Sequence, residues 1–89
     1  MNISVVIPAY NESGNIRSTV GELFSVTEKI PELKKVEVIV VDDHSSDDTF
    51  QAASSMQDPR LSCIRLSRRS GSHTAIRAGI MESTGDAVF

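Results

Sequence analysis

Two short runs rich in β-branched residues, Ile3-Ser4-Val5-Val6-Ile7 and Val38-Ile39-Val40-Val41, each pass straight into a polar turn. The first turn is Pro8-Ala9-Tyr10-Asn11-Glu12 and the second Asp42-Asp43-His44-Ser45-Ser46. β-Branched side chains fit a pleated surface, and a nearly unbroken apolar run suits a strand covered on both faces. Between the runs, Ile16, Val20, Leu23 and Phe24 fall at i, i+4, i+7 and i+8, the stripe of an amphipathic helix from Asn15 to Lys29. A helix between two strands makes them a parallel pair, because parallel strands require a crossover of that length. Both polar turns then leave the same edge of one sheet, so residues about thirty positions apart face a single ligand there.

The remainder continues the alternation. Pro31 ends the first helix, and Lys34-Lys35 lead into the second strand. Ser46-Asp47-Asp48-Thr49 reads as the start of a second helix, with an oxygen-bearing cap, acids in the first turn, and Phe50, Ala53 and Met56 on one side. Asp58-Pro59 closes it. Leu61 to Leu66 is a third strand, Ser67 to Ser72 a polar basic loop, and Thr74 to Ser83 a third helix expected to bury Ala75, Ile76, Gly79 and Ile80. Gly85 follows that helix, and Ala87 opens a fourth strand. The order β-α-β-α-β-α-β predicts an α/β fold: a Rossmann-like parallel sheet with helices on both faces. A strand order of 3-2-1-4 puts a ligand crevice where the chain reverses direction between strands 1 and 4. A strand beginning at Ala87 needs roughly five or six residues. Residues 1–89 are therefore expected to be the N-terminal portion of a larger domain, truncated at the C-terminus.

Composition narrows the class. No apolar run approaches the roughly 20 residues that cross a bilayer, and no basic segment or cleavage site precedes the first strand. The expectation is a soluble, cytoplasmic segment without a signal peptide. The lone Cys63 lies in an apolar stretch and reads as a buried thiol. The net charge of −3 conceals an asymmetry: residues 1–58 hold four Lys/Arg against ten Asp/Glu, and residues 59–89 five Arg against two acids. Arg60, Arg65, Arg68, Arg69 and Arg77 make a basic segment that suits phosphate or simply a solvated face. Nucleic acid is not the expected partner, since no aromatics interleave the basic residues. His44 and His73 lack partners at metal-ligand spacing.

The chemistry concentrates in the two turns. Consecutive residues leaving a strand point to opposite sides, so one of Asp42 and Asp43 faces the crevice. A carboxylate there either ties down its own turn or accepts ring N–H bonds from a nucleobase. Pro8 stops the first strand by removing a ladder donor. Tyr10 supplies an aromatic wall for a base or ribose, and Glu12 an acceptor for ribose hydroxyls. Tyr10, Glu12 and one of these two aspartates are expected to border one cavity.

The strand, Pro-Ala-Tyr-Asn-Glu, helix, strand and Val-Asp-Asp-x-Ser order, followed by Leu66-Ser67-Arg68, Gly71, Ala75, Ala78-Gly79 and Gly85-Asp86, resembles the start of a family 2 glycosyltransferase of GT-A fold. The likeness spans essentially the whole chain. Within that family the Leu-Ser-Arg stretch is most similar to polyprenyl-phosphate sugar transferases of the dolichol-phosphate mannose synthase type. The resemblance implies transfer of a sugar from a nucleoside-diphosphate donor (UDP or GDP) to an acceptor such as a lipid phosphate, at the cytoplasmic face of a membrane.

The same resemblance implies that Pro8, Ala9, Tyr10, Glu12, Val41 and Asp43 line the donor nucleotide, with Asp43 reading the base and Asp42 supporting the loop. Arg68 or Arg69 is the candidate for the diphosphate, although Arg69 and Ser70 depart from the family's Arg-Asn-x-Gly. A divalent cation, Mg or Mn, is expected in the intact protein on an Asp-x-Asp motif beyond Phe89, and this segment alone is expected to be inactive.

Two other classes share the sheet. A phosphoacceptor signalling domain places its acid pair after the first strand, whereas here that strand ends in Pro-Ala-Tyr. A dinucleotide-dependent oxidoreductase opens its first helix on a glycine fingerprint that Gly14 alone does not supply. A nucleotide-binding module without activity is the further alternative.

Overall fold

The computed structural model describes residues 1–89 as four strands alternating with three helices. They are β1 (Asn2–Ala9), α1 (Ile16–Glu28), β2 (Lys35–Asp42), α2 (Thr49–Ser54), β3 (Leu61–Arg65), α3 (Ser72–Glu82) and β4 (Ala87–Val88). The strands form one parallel sheet, as the sequence predicts, and their order is β3-β2-β1-β4. β1 and β2 run level from Asn2 beside Lys35 to Ala9 beside Asp42, so their polar exits are adjacent.

Period-two alternation along β2 feeds two cores. Val38 and Val40 pack with Ile16, Val20 and Phe24 of α1 and Ala53 of α2. Ile39 and Val41 turn to the other face, against Ala75 of α3 with Val6 and Ala78 beside them. All four β2 side chains are essentially inaccessible, and burying each contributes roughly 1.5 to 3 kcal/mol. This doubly covered strand fixes the heights of both turns.

α3 approaches the sheet closely at Gly79. A Cβ there would run into Val6 and lie 3.2 Å from a methyl of Val41. That packing also corrects one expectation. Ala75, Ala78 and Gly79 face the sheet, while Ile76 and Ile80 are 37% and 47% exposed. A helix seated this low offers its small residues to the strands and turns its larger ones outward.

α2 is shorter than its sequence reading. The Asp47 carboxylate accepts from both the N–H (3.0 Å) and the hydroxyl of Thr49, a local turn that delays the helix to Thr49. Met56, expected on the helix, lies beyond its end yet still packs on the α1 side core. Cys63 is only half-buried, and burial raises its thiol pKa, which matches an inert group. No helix is long and apolar enough to cross a membrane.

Candidate functional site

The β1–α1 and β2–α2 turns are stapled to each other. Asn11 sits in the left-handed region (φ 53°), which asparagine tolerates. From there its N–H donates to the Ser45 hydroxyl (2.9 Å), and its Oδ1 accepts from the Ser46 N–H (2.9 Å). One residue on, the Glu12 N–H donates to the Thr49 hydroxyl (2.8 Å). The Glu12 carbonyl accepts from the N–H groups of Asn15 and Ile16, which starts α1.

The two aspartates separate as strand geometry requires. Asp42 is fully buried. Its Oδ2 accepts from the Ser45 N–H at 3.1 Å, its Oδ1 takes the Ser45 hydroxyl, and the Arg65 guanidinium lies 3.5 Å away. It ties the turn and presents nothing to a ligand. Val41 is likewise sealed beneath the turn, in the core under α3.

Asp43 points the other way, toward the loop before α3. Its Oδ1 accepts from the Ser70 N–H (2.7 Å) and its Oδ2 from the Gly71 N–H (2.9 Å). The Arg69 Nε lies 3.5 Å from Oδ2. The Ser70 and Gly71 N–H bonds, with the Arg69 charge, hold the carboxyl below its usual range despite desolvation. Gly71, at φ 93°, occupies a backbone conformation in which a side chain is strained, and there it both presents its N–H to Asp43 and precedes α3.

Over this carboxylate lies an aromatic face. The Arg69 guanidinium stacks on the Tyr10 ring with its Cζ 3.5 Å from the centroid. Pro8, Ala9, Tyr10, Asp43, Arg69 and Ser72 together line a cavity of about 110 Å³ at the carboxyl edge of β1 and β2. An ionised carboxylate accepts about four hydrogen bonds, so with two backbone donors in place Asp43 keeps acceptor capacity on the Arg69 side. The arrangement offers a planar group one stacking face and one charged acceptor.

The structure thus brings Pro8, Ala9, Tyr10, Asp43 and Arg69 together. Glu12 does not join them: it lines an adjacent hollow with Ile7, Pro8, Ile16 and Thr19, because the chain turns toward α1 after Asn11. Arg68 is not among the lining residues. Ser72 and the Ser70 N–H escape sequence reasoning, since nothing in a serine's identity says its backbone will meet an acid 27 residues away. A larger hollow of about 410 Å³ lies at the opposite end of the sheet, near Asn2, Glu37, Arg60 and Thr84. Two of its charged groups are already engaged: Glu37 accepts from the Ser4 hydroxyl and from Thr84, and Arg60 pairs with Asp58 and Glu28. The smaller cavity is the better candidate, with an aromatic face and a carboxylate together at the switch-point edge.

No group of three or more His, Cys, Asp or Glu side chains is gathered to hold a metal ion. Asp43 is the one acid that lines the cavity, and a single carboxylate beside an arginine does not fit a divalent cation.

Residues 4–89 match the glycosyl transferase family 2 model. Undecaprenyl-phosphate 4-deoxy-4-formamido-L-arabinose transferases of Pectobacterium atrosepticum and Pectobacterium carotovorum are each 36% identical over 91 residues, covering 99% of the chain. The chain spans 27% of the length of these relatives. Among solved structures, the mannosyltransferase PcManGT from Pyrobaculum calidifontis, in complex with GDP-Man and Mn2+, is 30% identical with a TM-score of 0.76, over 97% of this chain and 25% of that one. TarS 1-349 of S. aureus is 27% identical with a TM-score of 0.82, over 99% and 26%. With its sheet order, its stapled turns and a family match over nearly its whole length, the chain belongs to glycosyl transferase family 2.

Proposed function

We propose that this chain is the donor-recognition part of a glycosyltransferase that moves a sugar from a nucleoside diphosphate to an acceptor. The observation that carries the reading is the meeting of Tyr10 and Asp43 at one cavity on the carboxyl edge of the sheet. A nucleobase is planar and presents ring N–H groups, so it stacks on Tyr10 while donating to the free side of the Asp43 carboxylate. Arg69 supplies positive charge for the diphosphate. In this reading Glu12, which lines the adjoining hollow, accepts from the ribose hydroxyls of the same ligand.

Similarity to the undecaprenyl-phosphate transferases supports a polyprenyl phosphate as acceptor, hence work at the cytoplasmic face of a membrane. Such an acceptor is already an anionic nucleophile and requires no strong base from this segment. The GDP-Man and Mn2+ of PcManGT support a nucleoside-diphosphate sugar as donor and a divalent cation in the transfer, the cation being held by residues outside this segment.

Calorimetric titration with uridine and guanosine diphosphates tests the reading. Asp43→Ala is expected to weaken the diphosphate that binds by about 2 kcal/mol, typical of a lost charged hydrogen bond. Asp43→Asn keeps the size and one acceptor oxygen, and is expected to weaken it less. Affinity unchanged in both variants, with circular dichroism unaltered, removes Asp43 from the site.

A further inference from the structure

The Tyr10 face that borders Asp43 is already covered. Arg69 lays a planar, N–H-bearing group on the Tyr10 ring at 3.5 Å and brings its Nε to 3.5 Å from the Asp43 carboxylate. Those are the two contacts that a nucleobase would make in the same place. A stacked plane sits roughly 3.5 to 4 Å from its partner, so ring and guanidinium leave no room for a third plane between them. With Arg69 in position the cavity is about 110 Å³, well under the roughly 300 Å³ at which small-molecule pockets begin.

Arg69 is also free to leave. Its side chain is 58% exposed, and it is held only by the stack on Tyr10 and the 3.5 Å approach of its Nε to Asp43. Asp43 keeps the Ser70 and Gly71 N–H groups when the guanidinium departs, so no buried charge is orphaned.

We propose that Arg69 is an internal stand-in for the base: it caps Tyr10 and Asp43 in the empty site, and an incoming nucleoside diphosphate displaces it onto the diphosphate. The proposal rests on the donor reading above and adds a selectivity to it. A nucleoside without phosphates must displace the guanidinium with nothing to offer in return, whereas a diphosphate supplies the displaced cation with a new partner. Arg69 therefore discriminates by phosphate content rather than by base.

The test compares uridine and guanosine with their diphosphates on the wild-type chain and on Arg69→Ala and Arg69→Lys, by calorimetry at low salt. Tyr10 emission provides a second readout, since the chain has one tyrosine and no tryptophan. Arg69→Ala is expected to bind the bare nucleoside about 3- to 10-fold more tightly, since the cation–π contact and the ion pair of an exposed arginine no longer compete. Its preference for diphosphate over nucleoside is expected to fall by about 10-fold. Arg69→Lys, charged but unable to stack as a plane, is expected to show the nucleoside gain while keeping more of the diphosphate preference. Without ligand, Tyr10 emission is expected to change in both variants.

Diphosphate binding that depends on Asp43, with nucleoside affinity unchanged or weakened in Arg69→Ala, overturns the role of Arg69 alone. Binding of neither ligand to any of the three chains overturns the donor reading and this proposal together.

Discussion

Asp42 and Asp43 are chemically identical neighbours that the strand exit sends to different tasks, one closing a turn beneath the surface and one holding the loop that leads into α3. Their separation was legible from the alternation of side chains along β2. Which acid faces the cavity was not legible from that alternation, because it depends on how the chain bends after Val41; only the family resemblance singled out Asp43. Asn11 was less legible still: its φ of 53° and its bonds to Ser45 and Ser46 join segments 34 or 35 residues apart, and no local pattern announces them.

Asp58 gives the clearest residue-level prediction. Arg60 binds its carboxylate through Nε (3.0 Å) and Nη2 (2.7 Å), which brings its pKa from 3.8 down to about 2. A pKa depressed by folding stabilises the native state above the unfolded value, and that contribution is lost as pH falls through the folded one. The urea midpoint is therefore expected to drop as pH falls from 3.8 to about 2, and less steeply in Asp58→Asn. Some slope persists in the variant, because Glu37, Asp43 and Asp47 are also shifted downward. An identical slope in the two chains would show that the Arg60 pairing has no net effect on acid stability.

Elements were easier to foresee than their ends. The apolar stripe of α1 and the β-branched runs of β1 and β2 declare themselves because each repeats over two or more turns or pleats. α2, with six residues, is too short to do so, and a single side-chain bond from Asp47 to Thr49 resets its start. α3 misleads in a different way. Isoleucines normally mark the buried face, but Gly79 lets the helix sit so near Val6 and Val41 that its small residues occupy the contact.

Two glycine substitutions separate propensity from packing. Alanine gains about 1 kcal/mol over glycine inside a helix. At Gly21 of α1 nothing lies within 4 Å of an added Cβ, so Gly21→Ala is expected to stabilise by roughly 0.5 to 1 kcal/mol in urea denaturation. At Gly79 the same methyl meets two strand side chains, and Gly79→Ala is expected to cost about 1 to 3 kcal/mol net. Stabilisation at both positions would mean that α3 moves away from the sheet without penalty.

Across the whole molecule, stability is distributed from the centre of the sheet outward. Val38 to Val41 are sealed between two cores, whereas β4 is two residues long and Phe89 is 71% exposed. Native-state hydrogen exchange should reflect this. The amides of Val38 to Val41 are expected to be the slowest to exchange. Those of Asp86 and Phe89, which donate to Asn2 and Ser4, are expected to be among the fastest in the sheet. Equal protection in β2 and β4 would indicate that the sheet opens only as a unit. The parallel sheet was legible from the βαβ rhythm, whereas its strand order could only be supposed, since right-handed crossovers allow more than one order. Its consequence for the site was only partly legible: topology predicts a shared edge for Tyr10, Glu12 and Asp43, but the bend after Asn11 divides that edge into two hollows.

Ile3 is paired on one side with Val36 and on the other with Ala87. During synthesis β1 thus precedes both of its neighbours in the sheet and is enclosed only when β4 arrives. It waits for one neighbour through a whole helix and for the other through three helices and two strands, with its valines and isoleucines open to wrong partners meanwhile. A nascent chain of this design gains from a holding factor at the ribosome exit, and its folding yield should depend on how quickly the later strands arrive.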